Sequence, residues 1–520
     1  MRPAAVLIAL AFALSPTVKA PAVAPGKPNV VVIMTDDQTV EELRVMSQTR
    51  SLIGDEGVTF ENSFSSFPLC CPSRSTFLTG QYAHNHGVLE NEDPTGGYYR
   101  LKSENTLPVW LRAAGYRTIH VGKYLNDYGT KDPTEVPPGW DEWHGITDPS
   151  TYQMWGYQMN DNGNLTTYGT YEDEDPALYQ TDVLRDKAVD QIDKAIDAGS
   201  PFFMTLWFLA PHREVATLSS QSAPRPAPRH RGAFDGEPLP RPPNFNEADM
   251  SDKALFMRLK PVLDDAAIAV IENQYRRELE TLLAVDEAVA AVVKALKAKN
   301  TLSNTYVVFT SDNGYFHGEH RTPDEKILGY ENSARVPLMM RGPGITAGSH
   351  VQELVANVDL APTIVDVSGA TPGLDMDGRS MVALFEDPSR RSTRPVLLEA
   401  FMPVGSTLGF FTEQLPASGV FPITEGASTT AAPGPLSAIP LGKAVLPYEA
   451  VRTDRYVYFE YGTFEHELYD LAVDPWQMTS KHLDPKYLRT QLALLLALEK
   501  LRLCRGAACR AEIGPIPDPT

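Results

Sequence analysis

Asn29-Val-Val-Val-Ile-Met34 is an unbroken apolar run with β-branched residues at its centre. A half-exposed strand alternates apolar and polar residues, so such a run belongs to a strand covered on both faces. Further strands are predicted at Tyr116–Val121, Pro201–Leu209 and Thr305–Thr310. Helical spacing lies between them, at Thr39–Leu52, Leu107–Gly115 and Leu178–Ala198. In a long amphipathic stretch from Ile268 to Lys299, Leu279, Leu282, Leu283, Val289, Val292, Val293 and Leu296 share one side. Val355 to Gly369 returns to the core. Strands alternating with helices predict an α/β fold, with a mostly parallel sheet flanked by helices.

With 520 residues the chain is long enough for two domains, and its composition shifts near Pro388. The main domain is expected over residues 27–387, and a smaller C-terminal α+β domain over 388–510. The second domain opens with a strand at Pro395–Glu399 and a long Pro-, Gly-, Ala-, Ser- and Thr-rich loop over 404–445. Paired strands from Tyr448 to Tyr461 and a helix from Pro485 to Arg502 complete it. Residues 221–245 are Pro-rich and carry Arg225, Arg229, His230, Arg231 and Arg241, as a surface loop or a positive lip near a site.

Residues 1–24 read as a secretory signal: Arg2, then an apolar run from Ala4 to Leu14 too short to span a bilayer. No later apolar stretch is long enough for a membrane span, so a secreted, periplasmic or extracellular protein is expected. Cys504 and Cys509 are placed to close a small disulfide loop, which suits export. A net charge of −20 argues against nucleic acid as a partner. Any anionic substrate must then be drawn by a local positive site.

The predicted strands end in residues with chemical potential: Asp36 and Asp37, then Lys123, then His212, then Asp312 and Asn313. Ligands of open α/β sheets bind at that carboxyl edge. One carboxylate would serve to start a helix; two adjacent ones at a strand end ask for a cation. Three carboxylates and an amide carbonyl suit a hard ion, Ca²⁺ before Mg²⁺.

The stretch Phe67-Pro-Leu-Cys-Cys-Pro-Ser-Arg-Ser-Thr-Phe-Leu-Thr-Gly-Gln-Tyr82 places Cys70 at the start of a predicted helix. Pro72 suits the first helical position and Gly80 the stop. Free N–H groups and the helix dipole favour an anion there, and Arg74 adds a fixed positive fork. This stretch resembles the sulfatase signature, Cys-x-Pro-Ser-Arg followed by x-x-x-Leu-Thr-Gly; Gln81 stands where that family usually has Arg. Further resemblance lies in Gly122-Lys123-Tyr124-Leu125-Asn126, Tyr82-Ala-His-Asn-His86, Thr310-Ser-Asp-Asn-Gly-Tyr315 and the C-terminal cysteine pair. These are shared with the N-acetylglucosamine-6-sulfatases.

The resemblance implies an alkaline-phosphatase-like fold and hydrolysis of sulfate esters. It implies that Cys70 is oxidised before folding, by a formylglycine-generating enzyme, to an aldehyde whose hydrate is the nucleophile. Asp36, Asp37, Asp312 and Asn313 match the family's calcium ligands, with the modified Cys70 completing the shell. Arg74, Lys123 and Lys326 would surround a sulfate, and His212 would protonate the departing alcohol. Most sulfatases have a histidine where Leu125 stands; His84, His86 and Asn126 are the alternatives here. The implied substrate is a sulfated sugar such as N-acetylglucosamine-6-sulfate, short or terminal given the chain's negative charge. An arylsulfatase of broad specificity and a phosphodiester or phosphonate ester hydrolase are the rival readings.

Overall fold

The computed structural model describes residues 26–217, 220–401 and 447–520. The expected signal at 1–24 and the expected 404–445 loop lie outside the described residues. The main sheet has ten strands. In spatial order its middle five are Thr305–Ser311, Asn29–Asp36, Phe202–Pro211, Arg117–Lys123 and Glu142–Ile146, all mutually parallel. Beyond them the sheet turns antiparallel on both sides, through Leu338–Arg341 and Val58–Phe60 at one edge and Gln158–Asp161 with Asn164–Thr167 at the other. These outer strands are only three or four residues long, too short for the apolar run that marks Asn29–Asp36.

The alternation inside Asn29–Asp36 explains why Val30 to Met34 are all apolar. Val30, Val32 and Met34 join a core with Phe77, Leu111, Trp207 and Ile364, whereas Val31 and Ile33 join Leu282, Val285, Val289 and Leu206. Successive side chains point to opposite faces, and helices cover both. The helix Asp265–Ala298 lies on the second face beside Gln180–Asp197. A two-residue turn at Asn162 and Gly163, both with positive φ, closes the hairpin at the far edge, the turn that an Asn-Gly pair favours.

The second, four-stranded antiparallel sheet runs Val396–Ala400, Tyr448–Arg452, Tyr456–Tyr461 and His466–Asp470. The helix Leu488–Leu501 covers it through Leu494, Leu498 and Leu501. This core is continuous with Phe67, Leu69, Ile327, Leu328 and Tyr330 of the larger body. The continuity matters for the segment that carries Lys326. Tyr448 donates its hydroxyl to the Ile327 carbonyl at 2.6 Å, and Ile327 N donates to Pro68 O at 2.8 Å. Ile327 itself sits at φ +73°, which a β-branched residue adopts only under constraint. A Cβ on Gly329 would lie 2.6 Å from the Phe459 ring. The small sheet therefore clamps the loop beneath Lys326.

Tyr448→Phe leaves the buried Ile327 carbonyl without its donor, a cost of about 1–3 kcal/mol. We expect a lower thermal midpoint together with reduced turnover; an unchanged midpoint would show that the small sheet does not hold this loop.

Candidate active site

Cys70 begins the α-helix Cys70–Thr79, with Leu69 extended before it and Gly80 left-handed after it. Pro72 falls at the third helical position, where its missing N–H is still one that no helical carbonyl claims. All ten helix residues are buried. The helix is tied to its surroundings by polar bonds: Ser73 Oγ donates to Asp312 O at 2.5 Å, and Asn357 Nδ2 donates to Ser73 Oγ at 2.9 Å.

The two adjacent cysteines face different environments. Cys71 joins the apolar core with Phe77, Tyr124 and Trp207, and burial pushes its thiol up to about 12. Cys70 instead faces charge: Lys326 Nζ lies 2.9 Å from its Sγ, and Asp36 Oδ1 lies 3.5 Å away.

Around Cys70 the strand ends bring Asp36, Lys123, His212 and Asp312 together with Arg74 and Lys326. Arg74 donates to Asp36 Oδ2 at 2.9 Å through Nη2 and to Asp312 Oδ2 at 2.8 Å through Nε. Its remaining nitrogen bonds the Lys123 and Tyr124 carbonyls, and its guanidinium stacks on Trp207. Lys123 Nζ lies 2.5 Å from Asp36 Oδ2, and Lys326 Nζ lies 2.7 Å from Asp37 Oδ1. His212 Nδ1 bonds the Arg213 carbonyl at 2.7 Å, which leaves Nε2 on the cluster side, 3.6 Å from Asp37 Oδ2. Gly122 makes the approach of Lys123 possible: at φ +111° its missing Cβ would lie 1.9 Å from Trp207 O.

Burial raises the Asp36 carboxyl, but Lys123 and Arg74 outweigh it and hold the group well below the usual carboxylate range. Asp312 goes the other way: burial and the neighbouring Asp36 charge push it up to about 6 against Arg74. The neighbouring Asp36 and Asp37 charges that help raise Asp312 are like-charge repulsion, which a dication would relieve.

The donor set fits such an ion. Donor atoms of Asp36, Asp37, Cys70 and His212 all lie within 4.8 Å of one another. Asn313 donates its amide nitrogen to Asp37 Oδ1 at 2.6 Å, while its buried Oδ1 makes no hydrogen bond among the described residues. An amide oxygen beside carboxylates suits a hard cation. Asp312 meets the cluster differently, with Oδ2 on Arg74 and Oδ1 accepting the N–H groups of Asp37 and Asn313.

Of the three residues considered for the position of Leu125, only Asn126 is near. His84 bonds Glu399 and the Cys504 carbonyl, and that carboxylate lifts its pKa to about 9 although burial opposes it. His86 meets Thr76, and burial holds it down at about 3. Leu125 is buried in the core. Asn126 donates to the Tyr152 hydroxyl at 2.6 Å. Tyr152, which no motif marks, places its ring 4.5 Å from Lys123 Nζ and 5.1 Å from the His212 ring. The arginines of the Pro-rich segment make no positive lip. Arg225 pairs with Glu214, Arg229 with Asp182 and Glu287, Arg231 with Glu174, and Arg241 with Glu272. The remote carboxylates that neutralise them cannot be read from local sequence.

The chain belongs to the sulfatase family and is a sulfuric ester hydrolase: the Sulfatase family model matches residues 28–370. It is similar over nearly its whole length to human N-acetylglucosamine-6-sulfatase, 33% identical over 93% of this chain and 86% of that one. It is also 33% identical to an arylsulfatase of Volvox carteri, over 94% of this chain and 76% of the relative. Among solved structures, one captured with its substrate D-glucosamine-2-N,6-O-disulfate superposes with a TM-score of 0.72 at 23% identity, covering 92% of this chain and 98% of that one. That likeness establishes the alkaline-phosphatase-like fold.

Cys70→Ala is expected to abolish turnover. Cys71→Ala should keep it while costing about 1 kcal/mol of stability, the usual size for a core truncation of this kind. Assay and thermal melting of the two variants check this, and equal loss of activity would place both cysteines in the reaction.

Proposed function

We propose that this chain is an exported sulfatase acting on sulfated sugars, with Cys70, Arg74, Lys123, His212 and Lys326 as its catalytic residues. The observation that carries the reading is the contact of Cys70 with Lys326 and Asp36 inside a buried ring of cations and carboxylates. Cys70, converted to formylglycine, would supply a hydrated aldehyde as nucleophile. Asp36, Asp37, Asp312, Asn313 and the modified Cys70 would hold Ca²⁺, which would draw charge from a sulfate oxygen. Because the helix Cys70–Thr79 is wholly buried, a modifying enzyme must act on the chain before it folds. The disulfide between Cys504 and Cys509 is in keeping with an oxidising, extracytoplasmic destination.

The chain's own residues account for the rest of the chemistry. Lys123, Lys326 and Arg74 bring fixed positive charge to a site whose surroundings are net negative, and they offset charge that grows as the S–O bond to the alcohol breaks. His212 is held by the Arg213 carbonyl through Nδ1, so Nε2 is the atom that passes a proton to the departing oxygen. The ring of Tyr152 braces both Lys123 and His212, and Asn126 fixes its hydroxyl. Asn126, one of the three alternatives to the histidine that most sulfatases have at the position of Leu125, is thereby tied to this group.

Similarity to human N-acetylglucosamine-6-sulfatase over 93% of the chain supports 6-O-sulfated N-acetylglucosamine as the substrate. The structure bound to D-glucosamine-2-N,6-O-disulfate shares the fold. With a net charge of −20, short or terminal units are favoured over long polyanions. The algal arylsulfatase relative favours a second reading, broad action on aryl sulfates.

His212→Ala should slow sugar sulfates roughly 10²–10⁴-fold, the usual contribution of general acid catalysis, and nitrophenyl sulfate far less, since nitrophenolate leaves without a proton. Equal losses on both would remove His212 from that role. The substrate is tested by kcat/KM on N-acetylglucosamine-6-sulfate, other monosulfated sugars and nitrophenyl sulfate. Preference for the 6-sulfated amino sugar supports the first reading, and preference for the aryl ester replaces it with the second.

A further inference from the structure

A second group of metal-ligating side chains lies outside the catalytic cluster. Glu42 comes from the 3-10 turn Glu41–Val45, Glu278 from the helix Asp265–Ala298, and His317 from the loop after the strand Thr305–Ser311. All three are buried, and one donor atom of each lies within 4.8 Å of the other two. His317 Nε2 and Glu278 Oε2 are 2.7 Å apart. Each ligand is steadied from behind. Thr39 donates to Glu42 Oε2 through N–H at 2.8 Å and through its hydroxyl at 3.0 Å. Gln274 donates to Glu278 Oε1 at 2.8 Å, and the His317 N–H donates to Glu319 Oε2 at 2.6 Å. Tyr275 and Tyr315 wall the imidazole at 5.4 and 5.3 Å between ring centres.

Two features separate this group from an ordinary buried ion pair. A His–Glu pair alone would be complete, yet a second carboxylate has been brought against it. The other oxygen of that carboxylate, Glu42 Oε1, is fully buried and makes no hydrogen bond among the described residues. An orphaned carboxylate oxygen at zero exposure is costly unless something charged meets it. Glu42 and Glu278 bring two carboxylates into one buried group beside His317, where like charges repel. A proton shared among the three would ease that repulsion; a dication would remove it outright, balancing two carboxylates with a neutral imidazole.

We propose that Glu42, Glu278 and His317 form a structural metal site, distinct from the catalytic cluster, that takes Zn²⁺. One imidazole nitrogen and two carboxylate oxygens make the three-ligand set that this ion accepts, with water as a fourth ligand. Tetrahedral zinc holds its donors roughly 3.3 Å apart, given bonds of about 2.0–2.1 Å, so the group needs only small side-chain rotations to close. The ion would pin the turn after the first strand to the longest helix and to the loop leading toward Lys326. Because the site is closed to solvent, the metal enters as the chain folds and then exchanges slowly.

The test uses full-length protein expressed with added Zn²⁺ and dialysed against Ca²⁺ buffer free of zinc, with metals counted by mass spectrometry. We expect one zinc per wild-type chain and at least a tenfold loss in Glu42→Gln and in His317→Asn. Asp312→Asn should keep its zinc. Growth with Co²⁺ instead should give wild-type protein the visible absorption of four-coordinate cobalt, a readout that needs no variant. Wild-type protein without zinc, zinc retained in Glu42→Gln, or zinc lost in Asp312→Asn would each overturn the proposal.

Discussion

The guanidinium of Arg74, at zero exposure, bridges Asp36 and Asp312. Those carboxylates end two adjacent parallel strands, and the arginine rides on the helix that begins with Cys70. One planar fork therefore fixes the helix against the sheet edge and sets where the sulfur atom points. Removing one partner from such a buried pair strands the other charge at a cost of about 3–5 kcal/mol, so the three residues stand or fall together. The stack on Trp207 and the bonds to the Lys123 and Tyr124 carbonyls leave the guanidinium no freedom to turn.

The remaining contributions reach this centre from further away, each held by its own support. Lys123 arrives on a strand whose penultimate residue must lack a side chain. Lys326 arrives on a loop held by Tyr448, Phe459 and the Pro68 carbonyl, so the small sheet completes the site without lending it a reactive group. Three acids and three basic side chains meet in one buried volume. Electrostatic catalysis needs such preorganisation, because the charges are already in place before substrate arrives. The cost is repulsion between neighbouring carboxylates, visible in the upward displacement of Asp312 beside Asp36 and Asp37.

Local sequence determined the architecture closely. The apolar run Asn29–Met34 required a strand covered on both faces, and Asn162-Gly163 required a tight turn. Thr39 and Glu42 exchange backbone-to-side-chain bonds three residues apart, and the carboxylate's other oxygen is buried without a hydrogen bond among the described residues. Cys70, Pro72 and Gly80 bounded a helix, with Pro72 two positions deeper than its usual place. The strand ends carrying Asp36, Lys123, His212 and Asp312 were legible because period, polarity and strand length are all properties of neighbouring residues. Outer strands such as Val58–Phe60 and Leu338–Arg341 were not, because they are short and their partners decide that they are strands at all.

Only the tertiary structure decided which charge meets which. Arg74 and Asp312 are 238 residues apart, and Lys326 and Asp37 are 289 apart, with no local pattern linking them. The same holds for Tyr152 against His212, for the carboxylates that neutralise the Pro-rich arginines, and for the meeting of Glu42, Glu278 and His317. The sequence by itself determined the kinds of residue at the sheet's carboxyl edge and the family whose signature they spell. Pairing, burial and the direction of each side chain came from packing. A residue's chemistry is written in its identity, whereas the field around it is set by groups brought near only when the chain closes.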